Sequence, residues 1–297
     1  MKTFTSSRLI FSLLIWIAPC VFGQAVPGPQ PPNDRVPIFR VTVVQRALEA
    51  VNFQRHAGPT EIDLKGTVLL PKAEGRATIE VKNGYTKIDF NLKKLDAPTI
   101  FGTEFLTYVL WAITPDGKAV NLGEVIANGS SKASMHITSP YSTFALLITA
   151  EPYFSVPYPS DVIVVESAVR ADTIGRVEQV EAKAELLPRG QYTMNIRASQ
   201  LASASMQNQP SVSMEQYEAT TTLYQARNAI QIARADGAGQ VAAGTLQKAR
   251  GYLDQAEAAW VRKNYKSMID SARQAVEAAS DARMIAMRLK KPIGTQQ

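Results

Sequence analysis

Two histidines are present in the 297-residue sequence, and histidine is the side chain most often used as a general base or metal ligand near neutral pH. His56 lies in a predicted loop, and His136 alternates with apolar residues in a predicted strand. Neither has a carboxylate or cysteine close in sequence at the spacing of a metal site. We expect both to be surface or strand histidines, and we predict no catalytic, cofactor-binding or metal-ligating residue.

A glycine-rich run, Gly237-Ala-Gly-Gln-Val-Ala242, matches the G-x-G-x-x-A pattern of dinucleotide-binding loops. That function requires a preceding strand and a surrounding βαβ unit, because the pyrophosphate binds at the N-terminus of the helix that follows the strand. Here the preceding residues have helical periodicity. We therefore interpret the run as a helix C-cap followed by a tight turn, and we expect no cofactor.

Carboxylates and aromatic rings give no clearer site. The aspartates considered as acid–base candidates fall in separate predicted turns and strands: Asp63, Asp89, Asp96 and Asp116. No two of them form an acid–base pair by spacing alone. The run Asn128-Gly-Ser130 matches an N-glycosylation sequon, but a turn explains it fully. The aromatic residues on predicted helices are Tyr217, Tyr224, Tyr252, Trp260 and Tyr265. Trp260 is expected in the core, and sugar stacking by exposed rings stays open as an alternative.

The first 23 residues have the composition of a secretory signal. Lys2 and Arg8 provide the positive start, and the apolar stretch 9–18 is too short to span a bilayer comfortably. Small residues precede a predicted cleavage site before Gln24. The one cysteine, Cys20, follows a proline, which argues against lipid attachment. We expect an exported protein of the periplasm or cell envelope, with no membrane span in the mature chain. Association with the outer membrane stays open as one form of that location.

Net charge argues against nucleic-acid binding. Removing Lys2 and Arg8 from the 32 basic residues leaves 30 against 26 acidic ones, a mild excess of +4. A nucleic-acid surface would show a basic stripe with interleaved aromatic residues. The nearest approach to one is a C-terminal group, Arg283, Arg288, Lys290 and Lys291. We interpret these cations as complementing the dipole of a helix C-terminus.

Many short β-type segments follow a proline-rich leader at 24–37. Two hairpins stand out, one turning at Asn83-Gly84 and one at Pro115-Asp-Gly117, because both turns supply a glycine where φ must be positive. The strand around Trp111 is apolar on both faces, which predicts a central strand covered on both sides. Turn signals at roughly ten-residue spacing favour an antiparallel, Ig-like β-sandwich over 38–198.

The period changes after a Ser- and Gln-rich linker at 199–213, where Ser213 is a suitable N-cap. Three apolar stripes at helical spacing then follow, from Ala219 to Ala233, from Ala242 to Trp260 and from Met268 to Leu289. The first is ended by Gly237 and the third by Pro292. We predict an antiparallel three-helix bundle over 214–291, following the sandwich in an α+β multidomain protein. Its alanine-rich stripes bury little area per residue, so the bundle is expected to be only modestly stable by itself.

Two stretches carry a resemblance to known proteins. In the helical region the resemblance is carried by Ala233-Arg-Ala-Asp-Gly-Ala-Gly239 through Leu246-Gln-Lys-Ala-Arg-Gly-Tyr-Leu-Asp-Gln-Ala256 and by 264–286. This region resembles an uncharacterised helical-hairpin family of exported bacterial proteins. The β segments at 39–44, 50–53, 58–63 and 107–117 resemble the N-terminal region of OmpA-family envelope proteins, and the last also resembles the C-terminal sandwich of anti-sigma-K-type factors. No OmpA-type peptidoglycan-binding domain follows in this sequence, so we do not expect peptidoglycan binding by that route.

These features favour a non-enzymatic exported cell-envelope protein with a scaffold or partner-binding role. The sandwich would present the binding surface to envelope proteins or peptidoglycan. The helices would act as a spacer or as the contact of a homo-oligomer. The alternative is a carbohydrate- or peptidoglycan-binding module. An enzyme would require distant carboxylates to meet in a cleft.

Overall fold

The computed structural model describes residues 43–54, 58–128, 130–185 and 213–290. These residues belong to one compact unit, in which an antiparallel sheet is followed by C-terminal helices. The predicted α+β class is therefore confirmed. The predicted signal at 1–23, the leader at 24–37, residues 199–212 of the linker, His56 and Lys291 lie outside the described residues.

Ten strands make up the sheet within the described residues. Their bounds in chain order are β1 Val43–Asn52, β2 Thr60–Gly66, β3 Glu74–Lys82, β4 Tyr85–Lys93, β5 Thr107–Ile113, β6 Ala119–Val125, β7 Lys132–Ser139, β8 Thr143–Glu151, β9 Ile163–Ala168 and β10 Arg176–Glu185. A short 3-10 helix, Pro98–Phe101, lies between β4 and β5.

The main path of the sheet runs β10-β1-β8-β9-β2-β3-β4-β7. β8 is the branch point, because it also pairs with β5, which in turn pairs with β6. The β5–β6 register contains a bulge. Leu110 lies opposite Gly123 but Trp111 lies opposite Asn121, so Leu122 is an extra residue of β6.

Both hairpins predicted from turn signals are present. β3 and β4 are joined by Asn83 and Gly84, with Gly84 at a φ of +92°. At the second turn Gly117 has a φ of +77°, and its N–H donates to the Thr114 carbonyl over 2.8 Å. Glycine reaches these left-handed conformations without steric cost, and this is why the turns could be located from residue type.

The helices are α1 Met214–Ala235, α2 Ala238–Val241, α3 Ala243–Val261 and α4 Tyr265–Lys290. The Ser213 hydroxyl accepts a hydrogen bond from the Gln216 N–H, which confirms the predicted N-cap of α1. α1 ends before Gly237, whose φ of +89° begins the turn into α2. A helix rather than a strand therefore precedes the glycine-rich run, as its helical periodicity predicted. None of the described helices is both long and apolar enough to cross a membrane.

Two apolar clusters share the sheet. The first lies among β2, β3, β4 and the inner faces of β5, β8 and β9, and includes Phe90, Leu110 and Ile148. The second lies between the outer faces of β5 and β8 and the helices, and includes Trp111, Leu147 and the alanines of α1 and α4. The second apolar face of the Trp111 strand is therefore covered by helices.

Two expectations for the last helix are wrong. Arg283 is 1% exposed and donates from Nε to Asp236 Oδ2 over 2.6 Å, so it is a buried ion-pair partner rather than a cation at the helix end. Leu289, placed by its spacing on the apolar stripe, is 66% exposed. The stripe reaches the protein interior as far as Ala286, and the helix continues beyond its packing partners.

Candidate functional site

A shallow groove of about 610 Å³ crosses the outer face of β2, β3 and β4, and we call it the charged groove. Its described lining is Glu61, Asp63, Leu64, Lys65, Glu74, Gly75, Arg76, Thr78, Asn91 and Lys93. The strands bring these residues together because alternate positions point to the same side of a sheet. The antiparallel register aligns Asp63 with Arg76 and Arg76 with Asn91 across three strands.

Ion pairs order one end of the charged groove. Arg76 approaches Glu61 at 3.6 Å, and Arg170, from the segment after β9, approaches Asp63 at 3.0 Å. Arg170 also donates through Nε and Nη2 to both carboxylate oxygens of Asp172. These hydrogen bonds lower the pKa of the Asp172 carboxyl. Both signs of charge therefore lie side by side on an open surface, with the Arg76 side chain 63% exposed.

The neighbouring part of the same face holds a histidine–carboxylate pair that sequence spacing did not reveal. His136 Nδ1 on β7 lies 2.6 Å from Asp89 Oδ1 on β4, and Lys87 Nζ lies 2.8 Å from the other oxygen of Asp89. Hydrogen bonds from Lys87 and then His136 lower the pKa of the Asp89 carboxyl. The His136 side chain is 78% exposed, so water reaches the pair freely. This geometry resembles a surface ion pair more than a water-excluding catalytic site.

A second polar cluster lies between the sheet and the helices, centred on Glu124 of β6. Its carboxylate accepts hydrogen bonds from Thr107 of β5 and Gln225 of α1, each over 2.8 Å, and from Arg273 of α4 over 2.9 Å. The Glu124 side chain is 7% exposed. Three elements thus meet on one carboxylate, and the guanidinium of Arg273 also stacks 4.1 Å from the Phe154 ring centroid.

The helices also bind the backbone of the 151–160 segment, which begins with the last residue of β8. Gln225 accepts from the Phe154 N–H over 2.8 Å, Asn228 donates to the Pro152 carbonyl over 3.2 Å, and the Ser280 hydroxyl donates to the Ser155 carbonyl. Asn121 of β6 donates to the carbonyls of Phe154 and Val156 from the sheet side. Buried backbone groups of this segment therefore find partners on both sides. We call this region, with Glu124 and residues 151–160, the sheet–helix junction.

Other residues considered from sequence serve packing or turns. Trp260 is half-buried against the helix cluster with the Arg227 guanidinium 6.0 Å from its ring centroid, and Tyr224 is buried. Asn128 accepts through Oδ1 from the N–H groups of Ser130 and Lys132, so its side chain orders the turn before β7. Asp63 and Asp89 lie on the outer face, while the Thr114 hydroxyl donates to Asp116 in the hairpin turn.

The described residues contain no group of three or more His, Cys, Asp or Glu side chains arranged to hold a metal ion. The charged groove can exchange hydrogen bonds and ion pairs with a polar ligand, and the sheet–helix junction joins the helices to the strands. No known family model matches the chain, and no curated protein shows significant similarity to it. The OmpA-family resemblance therefore stays a prediction.

Proposed function

We propose that this chain is an exported, non-enzymatic protein of the bacterial cell envelope that binds a protein partner through the charged groove. The observation that carries the proposal is the groove itself, an open surface on which Glu61, Asp63 and Glu74 alternate with Lys65, Arg76 and Lys93. Such a pattern gives orientation and specificity to a partner with complementary charges, because like charges brought together disfavour the wrong partner.

The position of the groove also supports a docking role. The helices cover the outer faces of β5 and β8, while the outer faces of β2, β3 and β4 carry the open groove. The helices are hydrogen-bonded to the 151–160 segment and can hold the sheet rigid from the other side. A rigid scaffold that presents an open polar face is suited to binding a partner without a large conformational change.

A site-specific cross-linking experiment tests the binding surface. A photo-reactive amino acid at Thr78, in the groove, is compared with one at Gln247, an exposed position of α3. We expect the Thr78 derivative to form one adduct with an envelope protein identified by mass spectrometry, and we expect Arg76→Glu to abolish it. Equal labelling from Thr78 and Gln247, or an adduct unaffected by Arg76→Glu, would contradict the proposal.

Export is tested separately. The full chain, expressed in a bacterium, is fractionated and its N-terminus is sequenced. We expect a mature chain that begins at Gln24 in the periplasmic or membrane fraction. A chain that keeps Met1 and stays in the cytoplasm would contradict the envelope location but leave the cross-linking result intact.

Peptidoglycan or carbohydrate binding is the alternative function. Thr78, Asn91 and the flanking charges supply donors and acceptors for sugar hydroxyls. The described lining contains no aromatic ring, however, and stacked rings are a usual part of sugar sites, so the protein partner is favoured. Sedimentation with purified sacculi separates the two functions. Co-pelleting that Arg76→Glu abolishes would favour the alternative, and no co-pelleting would remove it.

The finer architecture and the oligomeric state belong to the same proposal. We propose that the strands form two facing layers of an Ig-like sandwich, because buried residues of β2–β4 and of β5, β8 and β9 share one cluster. We also propose that α1, α3 and α4 form a three-helix bundle, because α4 packs against both other long helices.

The helices are also the proposed contact of a homo-oligomer. Self-association through them is tested by light scattering of the purified chain. A concentration-independent monomer would remove that part of the proposal.

A further inference from the structure

Glu151 is a fully buried carboxyl group at the end of β8, inside the sheet–helix junction. Its two oxygens have different surroundings. Oε1 accepts hydrogen bonds from the Thr149 hydroxyl and, over 2.7 Å, from the Ser160 N–H. Oε2 is buried and has no hydrogen-bond partner among the described residues. A buried polar atom without a partner is costly, so this arrangement needs a physical reason.

The direction of the hydrogen bonds indicates which oxygen of Glu151 would carry the proton when the carboxyl is neutral. The Trp111 indole N–H can only donate, and it donates to Thr149 Oγ1 over 2.8 Å. Thr149 then has its own hydroxyl hydrogen free for Glu151 Oε1. Oε1 therefore accepts from two donors, whereas no donor among the described residues faces Oε2, so in the neutral acid Oε2 is the oxygen that carries the proton.

The charged group facing Glu151 from the helices is Arg283 of α4, which is already bound elsewhere. Its guanidinium pairs with Asp236, at the end of α1, and donates to the Tyr153 hydroxyl over 3.4 Å. From the sheet and the following segment come Thr149, Ser160 and Trp111, which carry no charge. The charge of Arg283 favours ionised Glu151, but this guanidinium is already paired with Asp236, so it offsets only part of the cost of burying a second carboxylate.

We propose that Glu151 is a proton-dependent switch at the sheet–helix junction: α4 stays packed on the 151–160 segment while the buried carboxyl is neutral, and the junction opens more readily as rising pH favours the ionised, solvent-exposed carboxyl. Burial, opposed in part by Thr149, Ser160 and Arg283, raises the pKa of Glu151 to about 8, so the contact weakens progressively as pH rises from the ordinary value of 4.5 towards about 8. The contact that opens includes the Ser280 hydroxyl on the Ser155 carbonyl.

Thiol protection at position 280 tests the switch. In a Cys20→Ser background, Ser280→Cys places a thiol where the side chain is buried between α4 and the segment, and Gln247→Cys gives an exposed reference. The labelling rate at 280, divided by that at 247, is measured from pH 6 to pH 9. If opening of the contact between α4 and the segment exposes Glu151, the protection of the thiol at position 280 from labelling falls as pH rises. The fall is up to about tenfold per pH unit, until the pH reaches the pKa of Glu151 in the closed junction.

Glu151→Gln is the matched variant, because the amide keeps an acceptor oxygen and cannot ionise. We expect its protection to stay constant across the same pH range, while Glu49→Gln, at an exposed position of β1, retains the full pH dependence. Equal pH dependence in Glu151→Gln and in the parent chain would overturn the proposal. Constant protection in the parent chain would overturn it as well.

A second measurement needs no substitution at the switch. The Trp111 indole N–H resonance is followed by NMR in the native chain, since this group begins the hydrogen-bond chain that ends on Glu151. We expect it to titrate with a midpoint near pH 8. An indole resonance that does not move between pH 6 and pH 9 would overturn the proposal even if the position 280 variant does not fold.

Discussion

The outer faces of β4 and β5 are made of the same kind of backbone but meet different surroundings. Along β4, buried residues alternate with exposed or partly exposed ones. Lys87, Asp89 and Lys93 are on the exposed side, which carries the groove. In β5 all seven residues are buried, because α1 and α4 cover the face that includes Trp111. The comparison shows that an alternating strand marks a free face, whereas a uniformly apolar strand marks a covered one.

The two faces also use charge differently. On the free face, ion pairs such as Arg76 with Glu61 are exposed to water and contribute little to stability. At the junction, Glu124 and Glu151 are buried and joined to donors from several elements. The same side-chain type therefore has a surface role on one face and a large energetic effect on the other.

The largest effect is expected for Trp111→Ala. The variant leaves a cavity between the sheet and the helices and removes the donor to Thr149, so we expect the free energy of unfolding to fall by about 3–5 kcal/mol in urea titrations. Tyr85→Ala, on a half-exposed ring of β4, is the control and should cost about 0.5 kcal/mol or less. Similar costs at the two positions would break the contrast between the faces.

Glu124→Ala should come next. It leaves Gln225, Arg273 and Thr107 without their shared acceptor, and we expect a loss of about 1–3 kcal/mol in the free energy of unfolding. Glu49→Ala, exposed on β1, should change it by about 0.5 kcal/mol or less. If thermal or urea melts find Glu124→Ala neutral, the junction is held by apolar packing alone.

Stability should also depend on pH through Glu151. Its pKa is raised in the folded state, so its contribution is complete below the unfolded value near 4.5 and is lost as pH rises towards about 8. We expect the free energy of unfolding of the parent chain to decrease over that window. The slope should be smaller in Glu151→Gln, measured by urea unfolding at several pH values; an unchanged slope would assign the pH dependence to other groups.

The smallest effect on stability is expected for Arg76→Ala. Its ion pairs are exposed, so we expect a change of about 0.5 kcal/mol or less in the free energy of unfolding. The same variant should reduce cross-linking from Thr78 strongly. A large loss of stability without loss of cross-linking would reverse the roles assigned to the two faces.

Local features of the fold were predictable from sequence because each depends on neighbouring residues. Gly84 and Gly117 mark turns that need positive φ, Ser213 caps α1, and the two apolar faces of β5 require two covers. The nature of the second cover could not be predicted, since an apolar strand face does not show whether a helix, a loop or a partner lies on it.

Contacts between distant segments could not be predicted. His136 meets Asp89 across 47 positions, and Arg273 meets Glu124 across 149, because strand pairing and helix docking decide both. Arg283 is different, since a signal was present. It lies four residues after Ala279 and three before Ala286, on the same face of the helix as those buried alanines. That position favoured a buried arginine over a cation at the helix end.

The bulge in β6 determines which of its side chains reach the helices. Asn121 and Glu124 are three positions apart, and in a regular strand they would point to opposite sides of the sheet. Leu122 is the extra residue, so Asn121 lies opposite Trp111, Glu124 lies opposite Val109, and both face α1 and α4. β6 therefore contains two reading frames of alternation. Deleting Leu122 would leave Asn121 and Glu124 two positions apart in a regular strand, so both would still point to the side of the helices, now without a bulge.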